Sequence, residues 1–477
     1  MTKKMWAALG ALTLLGLCLR VIGLNTGLWW DEIFFLIVSV RHPLTQIVTV
    51  FPGDNQHPLY SVLAWMSVNA FGEEAWSLRL PAMIFGVASI PMLYLLGASV
   101  ATRAEALLAA AFLAVSYHHV WFSQDARGYS ALAFWTLAST YFLLRGIRSR
   151  TRAPWMAYGV VTSLGAYTHL TMMFLIVSHV VICAGMVIRE RKTDPQGKFW
   201  RYPLQGFLLT AALTFLFYAP ILTQIQTFFL HKPSTMKAVS TPRWALLETI
   251  RVLILGLGTQ GVLIAAAFIV ACGAWSYFRQ SRVVFALFAL PVALTAMGAF
   301  LARGTMYPRF YFFLIGFAVL ILVRGIVFIP EWIAGRVGRE WLAPALTAVL
   351  AAVFCISSAV SLAASYKYPK QDYEGAMHFV EAQARSGEPV VTAGASVFPL
   401  QRYFVRPWDD VETAEKMKAI CNKGQPVWVV YTMPRYLAVS APGVMDIIRK
   451  QFTVVRVFHG TVGDGDVYVA RFQPAAI

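Results

Sequence analysis

Long apolar runs separated by short polar or basic turns recur from the first residues to about residue 362. Most of these runs have the length at which a helix crosses about 30 Å of hydrocarbon. The pattern predicts spans near 4–22, 79–100, 104–121, 125–144, 204–222, 247–275, 283–300, 309–323 and 341–362, plus two short helices within 154–188 that turn at Tyr167, Thr168 and His169. That makes about eleven transmembrane helices. The run from Leu59 to Phe71 is too short to cross, so it should lie along the surface or re-enter, leaving 25–78 as one external loop with juxtamembrane helices. After Ala363 the period changes: YEGAMHFVEAQARSG and APGVMDIIRK read as helices, while EPVVTAG, QPVWVVYTM, FTVVRVFHG and DVYVARF read as strands. The expected architecture is a polytopic α-helical membrane domain, 1–362, followed by a small α/β domain, 363–477.

Composition agrees with the pattern and orients it. Hydrophobic residues make up 58% of the chain and charged ones 13%, which excludes an ordinary soluble domain. The net charge of +17 would suggest nucleic acid in a soluble protein, but here the cations gather in short loops at alternate span ends. Nucleic acid is therefore not an expected partner; membrane lipids are. Lys3 and Lys4, Arg103, the group at 145–152, the group at 189–201, Arg279, Arg282, Arg324, Arg336 and Arg339 mark the cytoplasmic side. The N-terminus is then cytoplasmic and the C-terminal domain outside the cell membrane. The first span has no small-residue cleavage site before Trp29 and reads as an uncleaved helix. The cysteines show neither a disulfide framework nor metal spacing.

Where the first span ends, NTGLWWDEIFFL at 25–36 sets two carboxylates between a tryptophan pair and a phenylalanine pair. Acids at membrane level are costly unless hydrated, paired or used, so Asp31 and Glu32 are candidate catalytic groups. A hydrated cap for Asp31 and a water-facing side chain for Glu32 are the plain alternatives. On the same side the topology collects Asp54, His57, Asp125, Arg127, His169, Arg303 and Arg309. Asp125 could simply cap a helix, His57 occupy a turn, His169 be satisfied between helices, and the arginines snorkel to the interface. Taken together, acids and permanent cations suit a reaction in which a phosphate leaves while a carboxylate takes a proton from the attacking group. The acids could also bind a divalent cation, although no D-x-D stands in the external loops between the spans, and no cofactor is certain.

LWWDE at 28–32, NQHPLYSVLAW at 55–65, WSLRLPAMIFGVASIPMLYLLG at 76–97, SQDARGYSALAFWTLASTYFLL at 123–144 and, more weakly, MYPRFYFFLIGF at 306–317 resemble an ordered set of signatures. They are similar to those of the GT-C membrane glycosyltransferases related to protein O-mannosyltransferases and the lipid A aminoarabinose transferase. The resemblance implies an inverting glycosyltransferase of the bacterial inner membrane and cell envelope. It would use a polyprenyl-phosphate sugar donor and a lipid (lipopolysaccharide included), glycan or protein acceptor. It places Asp31 at the catalytic acid position with Glu32 beside it, and Asp125, Arg127 and Tyr129 in the second external loop. Catalytic roles then fall to Asp31, Glu32 and Asp125, and substrate binding to His57, Arg127, Tyr129, His169, Arg303 and Arg309. Leu59 stands where the family often has a second proline, and Gln56 replaces a lysine of the aminoarabinose enzyme, which argues against the same donor contact. A lipid-linked glycan flippase, or a non-catalytic envelope assembly protein, is the alternative. The flippase would want its charges at mid-membrane, and the assembly protein leaves the first-loop acids unexplained.

Overall fold

The computed structural model describes residues 2–53, 56–193, 197, 199–231, 242–301 and 307–474. The chain opens with α1 (Lys3–Val21), whose N-terminus is capped by Thr2. Four short elements follow: α2 (Trp30–Phe35), a π-helical turn (Leu36–Val40), α3 (Leu44–Thr49) and α4 (Pro58–Phe71). Proline at the first position of α4 loses no hydrogen bond there, and Gly72, with φ 90°, lets the chain leave the helix. The stretch expected to be too short to cross is thus a helix of its own.

The bundle continues with α5 (Ala75–Val100), α6 (Arg103–Val115), α7 (Tyr117–Ser123), α8 (Tyr129–Ser149), α9 (Arg152–Thr168), α10 (Met172–Thr193), α11 (Arg201–Tyr218) and α12 (Leu222–His231). It closes with α13 (Pro242–Leu257), α14 (Gln260–Gln280), α15 (Arg282–Leu301), a 3-10 turn (Pro308–Leu314), α16 (Ile315–Val337) and α17 (Leu342–Ser365). Among the described residues seven helices are long and apolar enough to cross a membrane, or eight if the bent pair α6–α7 is one span. The protein is a multi-pass membrane protein. Some expected spans fall on shorter or more polar helices: α9 has 17 residues, and α8 buries Thr136, Ser139 and Thr140.

Two boundaries differ from the hydropathy reading. The run 247–275 is not one helix, because Gly258 adopts φ 87° and Thr259 caps a new helix, α14. Arg324, read as part of a loop, lies inside α16; its guanidinium donates to Glu105 at 2.7 Å and Ser276 at 2.9 Å. An ion pair inside the bundle makes that charge tolerable, so the helix need not stop for it.

A buried arginine also shapes the α6–α7 bend, which is 58°. Arg20 of α1 donates to the carbonyls of Leu113 and Ala114 in the last turn of α6, and to Ser123 and His119 of α7. Elsewhere small residues bring helices together. At the α14–α16 crossing, a Cβ on Gly273 would overlap the Ile321 carbonyl, and one on Gly325 would overlap that of Ile269.

After α17 come α18 (Tyr373–Gln383) and a five-stranded sheet: β1 (Val390–Gly394), β2 (Asp409–Asp410), β3 (Val427–Thr432), β4 (Phe452–Phe458) and β5 (Val467–Phe472). The order is β2-β1-β3-β5-β4, with β1 parallel to β2 and β3, and β5 antiparallel to β3 and β4. Every residue of central β3 is buried, as expected of a strand covered on both faces. One face belongs to the membrane domain's end: Ile33, Leu36, Tyr60 and Ala64 share a buried cluster with Tyr373, Leu400, Val430 and Val469.

Gly325→Leu should force α14 and α16 apart and destabilise the protein by about 1–3 kcal/mol. Thermal unfolding in detergent measures it; an unchanged midpoint would mean that the two helices do not pack this closely.

Candidate functional site: a cavity between bundle and sheet

A cavity of about 1460 Å³ opens where the ends of α7 and α13, the 3-10 turn and the C-terminal domain meet. Leu246, Leu253, Leu255, Leu314 and Ile315 give it much of its apolar lining, with Glu248 and Arg251 of α13 among them. Trp30, Asp31, Trp121, Asp125, Tyr129 and Arg309 line it as well, and the C-terminal domain adds Arg402, Arg435 and Asp464.

The first turn of α2 divides the two adjacent acids. Successive helical residues point about 100° apart, so when one side chain faces inward its neighbour does not. Asp31 reaches the cavity and accepts a hydrogen bond from Arg309 Nη1 at 3.1 Å. Glu32 is fully buried and absent from the cavity wall. Its Oε1 accepts from Arg79 Nε (2.8 Å) and the Ala126 amide (2.8 Å), and its Oε2 from Arg79 Nη2 (2.5 Å) and the Trp29 amide (3.3 Å). Both oxygens are thus committed. The Arg79 and Lys370 cations overcome burial and hold its carboxyl down at about 2. A catalytic role for Glu32, expected from its position beside Asp31, does not fit this arrangement: the helix turn aims it at the protein interior.

Arg79 itself is wholly buried and also donates to the carbonyls of Leu24, Thr26 and Gly27. It gathers the exit of α1, the start of α2 and, through Glu32, the loop before α8. That loop, residues 124–128, carries Asp125, which accepts from Trp29 Nε1 at 2.8 Å; its other oxygen has no hydrogen-bond partner among the described residues. Burial and the nearby Glu32 push the Asp125 carboxyl up, Lys370, Trp29 and Arg127 pull it down, and it rests raised at about 6.

The remaining expected binding residues separate into two layers. Tyr129 and Arg309 line the cavity. His57 and His169 lie one layer back against Tyr129, with the His57 ring 5.1 Å from that of Tyr129 and 4.8 Å from that of His169. Burial, with the positive charge of Arg127 and the neighbouring His169 and Arg309, holds His57 well below the usual imidazole range, so it is neutral at pH 7. Arg127 is buried and outside the wall. Arg303, like Asp54, lies outside the described residues. Among the described residues no three His, Cys, Asp or Glu side chains converge in a way that could hold a metal ion, so the acids considered for a divalent cation form no such set there.

Residues 55–222 match the dolichyl-phosphate-mannose-protein mannosyltransferase family. Among solved structures, ArnT from Cupriavidus metallidurans in the apo state is 14% identical, with TM-score 0.55, over 97% of this chain and 98% of that one. The same protein bound to undecaprenyl phosphate gives 13% identity and TM-score 0.52, with 98% of each chain covered. The archaeal oligosaccharyltransferase AglB from Archaeoglobus fulgidus, in complex with an inhibitory peptide and a dolichol-phosphate, gives 13% and 0.53, over 98% of this chain and 74% of that one. The fold is that of the GT-C membrane glycosyltransferases. No curated protein matches the sequence.

The matched family segment holds His57, Arg79, Asp125, Arg127, Tyr129 and His169 but neither Asp31 nor Arg309. The GT-C fold brings those two in from the first loop and from the turn before α16. Sequence reading missed Arg79, whose signal was a lone arginine opening an apolar run. It also missed Lys370, whose Nζ stands 3.6 Å from Glu32 and 4.0 Å from Asp125.

Glu32→Gln strands two buried cations and should cost about 3–5 kcal/mol, while a paired Glu32→Met, Arg79→Met replacement should cost much less than the sum of the single changes. The sign with pH follows from a carboxyl held down. The pair's contribution is complete above the ordinary carboxyl value of 4.5 and fades as pH falls from there toward about 2. Unfolding in detergent as a function of pH checks both, and an acid-insensitive difference between wild type and Glu32→Gln would refute the pairing.

Proposed function

We propose that the protein is an inverting glycosyltransferase that moves a sugar from a polyprenyl-phosphate carrier to an acceptor hydroxyl or phosphate. The observation that carries this reading is the cavity itself: its lining combines the apolar side chains Leu246, Leu253, Leu255, Leu314 and Ile315 with an Asp31–Arg309 pair and Asp125. A lipid-linked donor needs both kinds of lining. The structural neighbours with undecaprenyl phosphate and dolichol-phosphate support the same donor class.

In this mechanism the donor's prenyl chain lies along Leu246, Leu253 and Leu255, and its phosphate takes the Arg309 guanidinium, with Arg127 adding positive potential from behind. Asp31, released from Arg309 by the phosphate, accepts the proton of the incoming hydroxyl. A bond forms between that oxygen and the anomeric carbon as the carbon–phosphate oxygen bond breaks, and the phosphate departs with the electron pair. One displacement inverts the centre. A phosphate leaving group requires no acid to protonate it, so a second, protonated carboxylic acid is not needed. Asp125, as a carboxylate, stabilises the positive charge that develops on the sugar ring.

The cations concentrated at 145–152 and 189–201 in the sequence support a cytoplasmic position for those segments. The cavity and residues 363–477 then form an external domain, on the periplasmic side of a bacterial inner membrane, beside a transferase domain of residues 1–362.

The test uses purified protein in lipid, a panel of radiolabelled polyprenyl-phosphate sugars and an envelope acceptor fraction. Asp31→Asn should lower transfer by at least about 10²-fold while retaining donor. Arg309→Gln should weaken donor binding by about tenfold or more. Equal transfer by Asp31→Asn would remove it as the base, and absence of transfer from every donor by the wild type would overturn the reading.

A further inference from the structure

Between α17 and α18 the chain passes through a strap, residues 369–371, that belongs to both halves of the molecule. Lys370 and Gln371 are buried there. On the membrane side, Lys370 Nζ lies between Glu32 and Asp125, donates to the Gln124 carbonyl and sits 5.0 Å from the Trp121 ring centre. Gln371 Oε1 accepts from the Trp30 amide at 2.8 Å, at the first turn of α2. On the other side the β4–β5 loop braces the strap: Thr461 N donates to the Pro369 carbonyl (3.0 Å) and Val462 N to that of Lys370 (3.2 Å). Gln371 Nε2 reaches Thr432 of β3 at 3.2 Å, and Trp121 Nε1 reaches Thr461 at 3.1 Å. Gly460 presses so closely that a Cβ there would overlap the Lys370 carbonyl.

We propose that Lys370 is a positioning residue: the C-terminal domain inserts its cation between Glu32 and Asp125 and thereby keeps Asp125 a carboxylate during sugar transfer. The importance for transfer rests on the glycosyltransferase reading above. Two buried acids stand close together here. Glu32 is neutralised by Arg79, whereas the direct hydrogen bond to the Asp125 carboxyl comes from the neutral indole of Trp29. The charged and titratable groups around Asp125 are Glu32 of α2, Tyr60 of α4, Arg79 of α5, Arg127 of its own loop, Arg309 of the 3-10 turn and Lys370 of the strap. Among the cations, Lys370 acts most strongly on it. Burial and Arg79 in turn push the Lys370 ammonium down to about 8, so the charged pair persists between about 6 and about 8.

The decisive measurement is infrared titration of the full-length protein in lipid from pH 5 to 9, with the carboxylic-acid carbonyl band of Asp125 assigned by its loss in Asp125→Asn. In wild type the band should vanish with a midpoint near about 6. Lys370→Met should move that midpoint upward by at least about one pH unit, and Lys370→Arg should leave it within about half a unit. Should Lys370→Met fail to fold, Gly460→Ala displaces the cation without removing it and should shift the band the same way, by less. An unmoved band in a folded Lys370→Met overturns the proposal. Transfer by Lys370→Met should fall most near pH 6–7 and recover toward pH 9, which a merely structural defect would not reproduce. No transfer by the wild type would refute the glycosyltransferase reading, whereas the band decides Lys370 without donor or acceptor.

Discussion

The buried pair between Glu32 and Arg79 is the constraint on which the rest of this site depends. Neither side chain is exposed, and between them they fix the exit of α1, the start of α2 and the loop before α8. Burial of two charges is tolerable because nearly every donor and acceptor on them is used. With Glu32 committed inward, the geometry of a helical turn aims Asp31 at the cavity. One acid is thereby structural and its neighbour available for chemistry.

A second consequence is electrostatic. Asp125 stands close enough to Glu32 to be repelled by it and deep enough to be disfavoured as an anion, and both effects raise it. Arg309, Arg127 and Lys370 oppose them from three separate parts of the chain. Carboxylates and cations are therefore held close to one another at and just behind the cavity wall. His57, neutral and packed against Tyr129 and His169, supports that wall without adding charge.

The bundle solves a related problem at several breaks. Helix ends inside a membrane domain need partners for their carbonyls, and Arg20 donates to those of Leu113 and Ala114 at the bend from α6 into α7. Arg324 stays within α16 because Glu105 meets it. Buried arginines thus serve as fasteners in this fold, each joining segments far apart in sequence. The apolar cluster shared by α2, α4 and the sheet does the same at larger scale, seating the C-terminal domain on the membrane domain's end.

By itself the sequence determined the membrane character, the short juxtamembrane helix, the change of period after Ala363 and the interest of Asp31, because hydrophobic length, strand alternation and a misplaced charge are local signals. The paired strands β4 and β5 were legible for the same reason. Only the tertiary structure decided that Glu32 turns inward, that Gly258 splits a hydrophobic run and that Arg324 is held inside a helix. It alone showed that Lys370, some 340 residues from Glu32, shares its pocket. Such outcomes depend on where a partner arrives from elsewhere in the chain. A lone arginine at the head of an apolar run announces that a partner must exist, since an unpaired charge there is too costly; it does not say which acid answers.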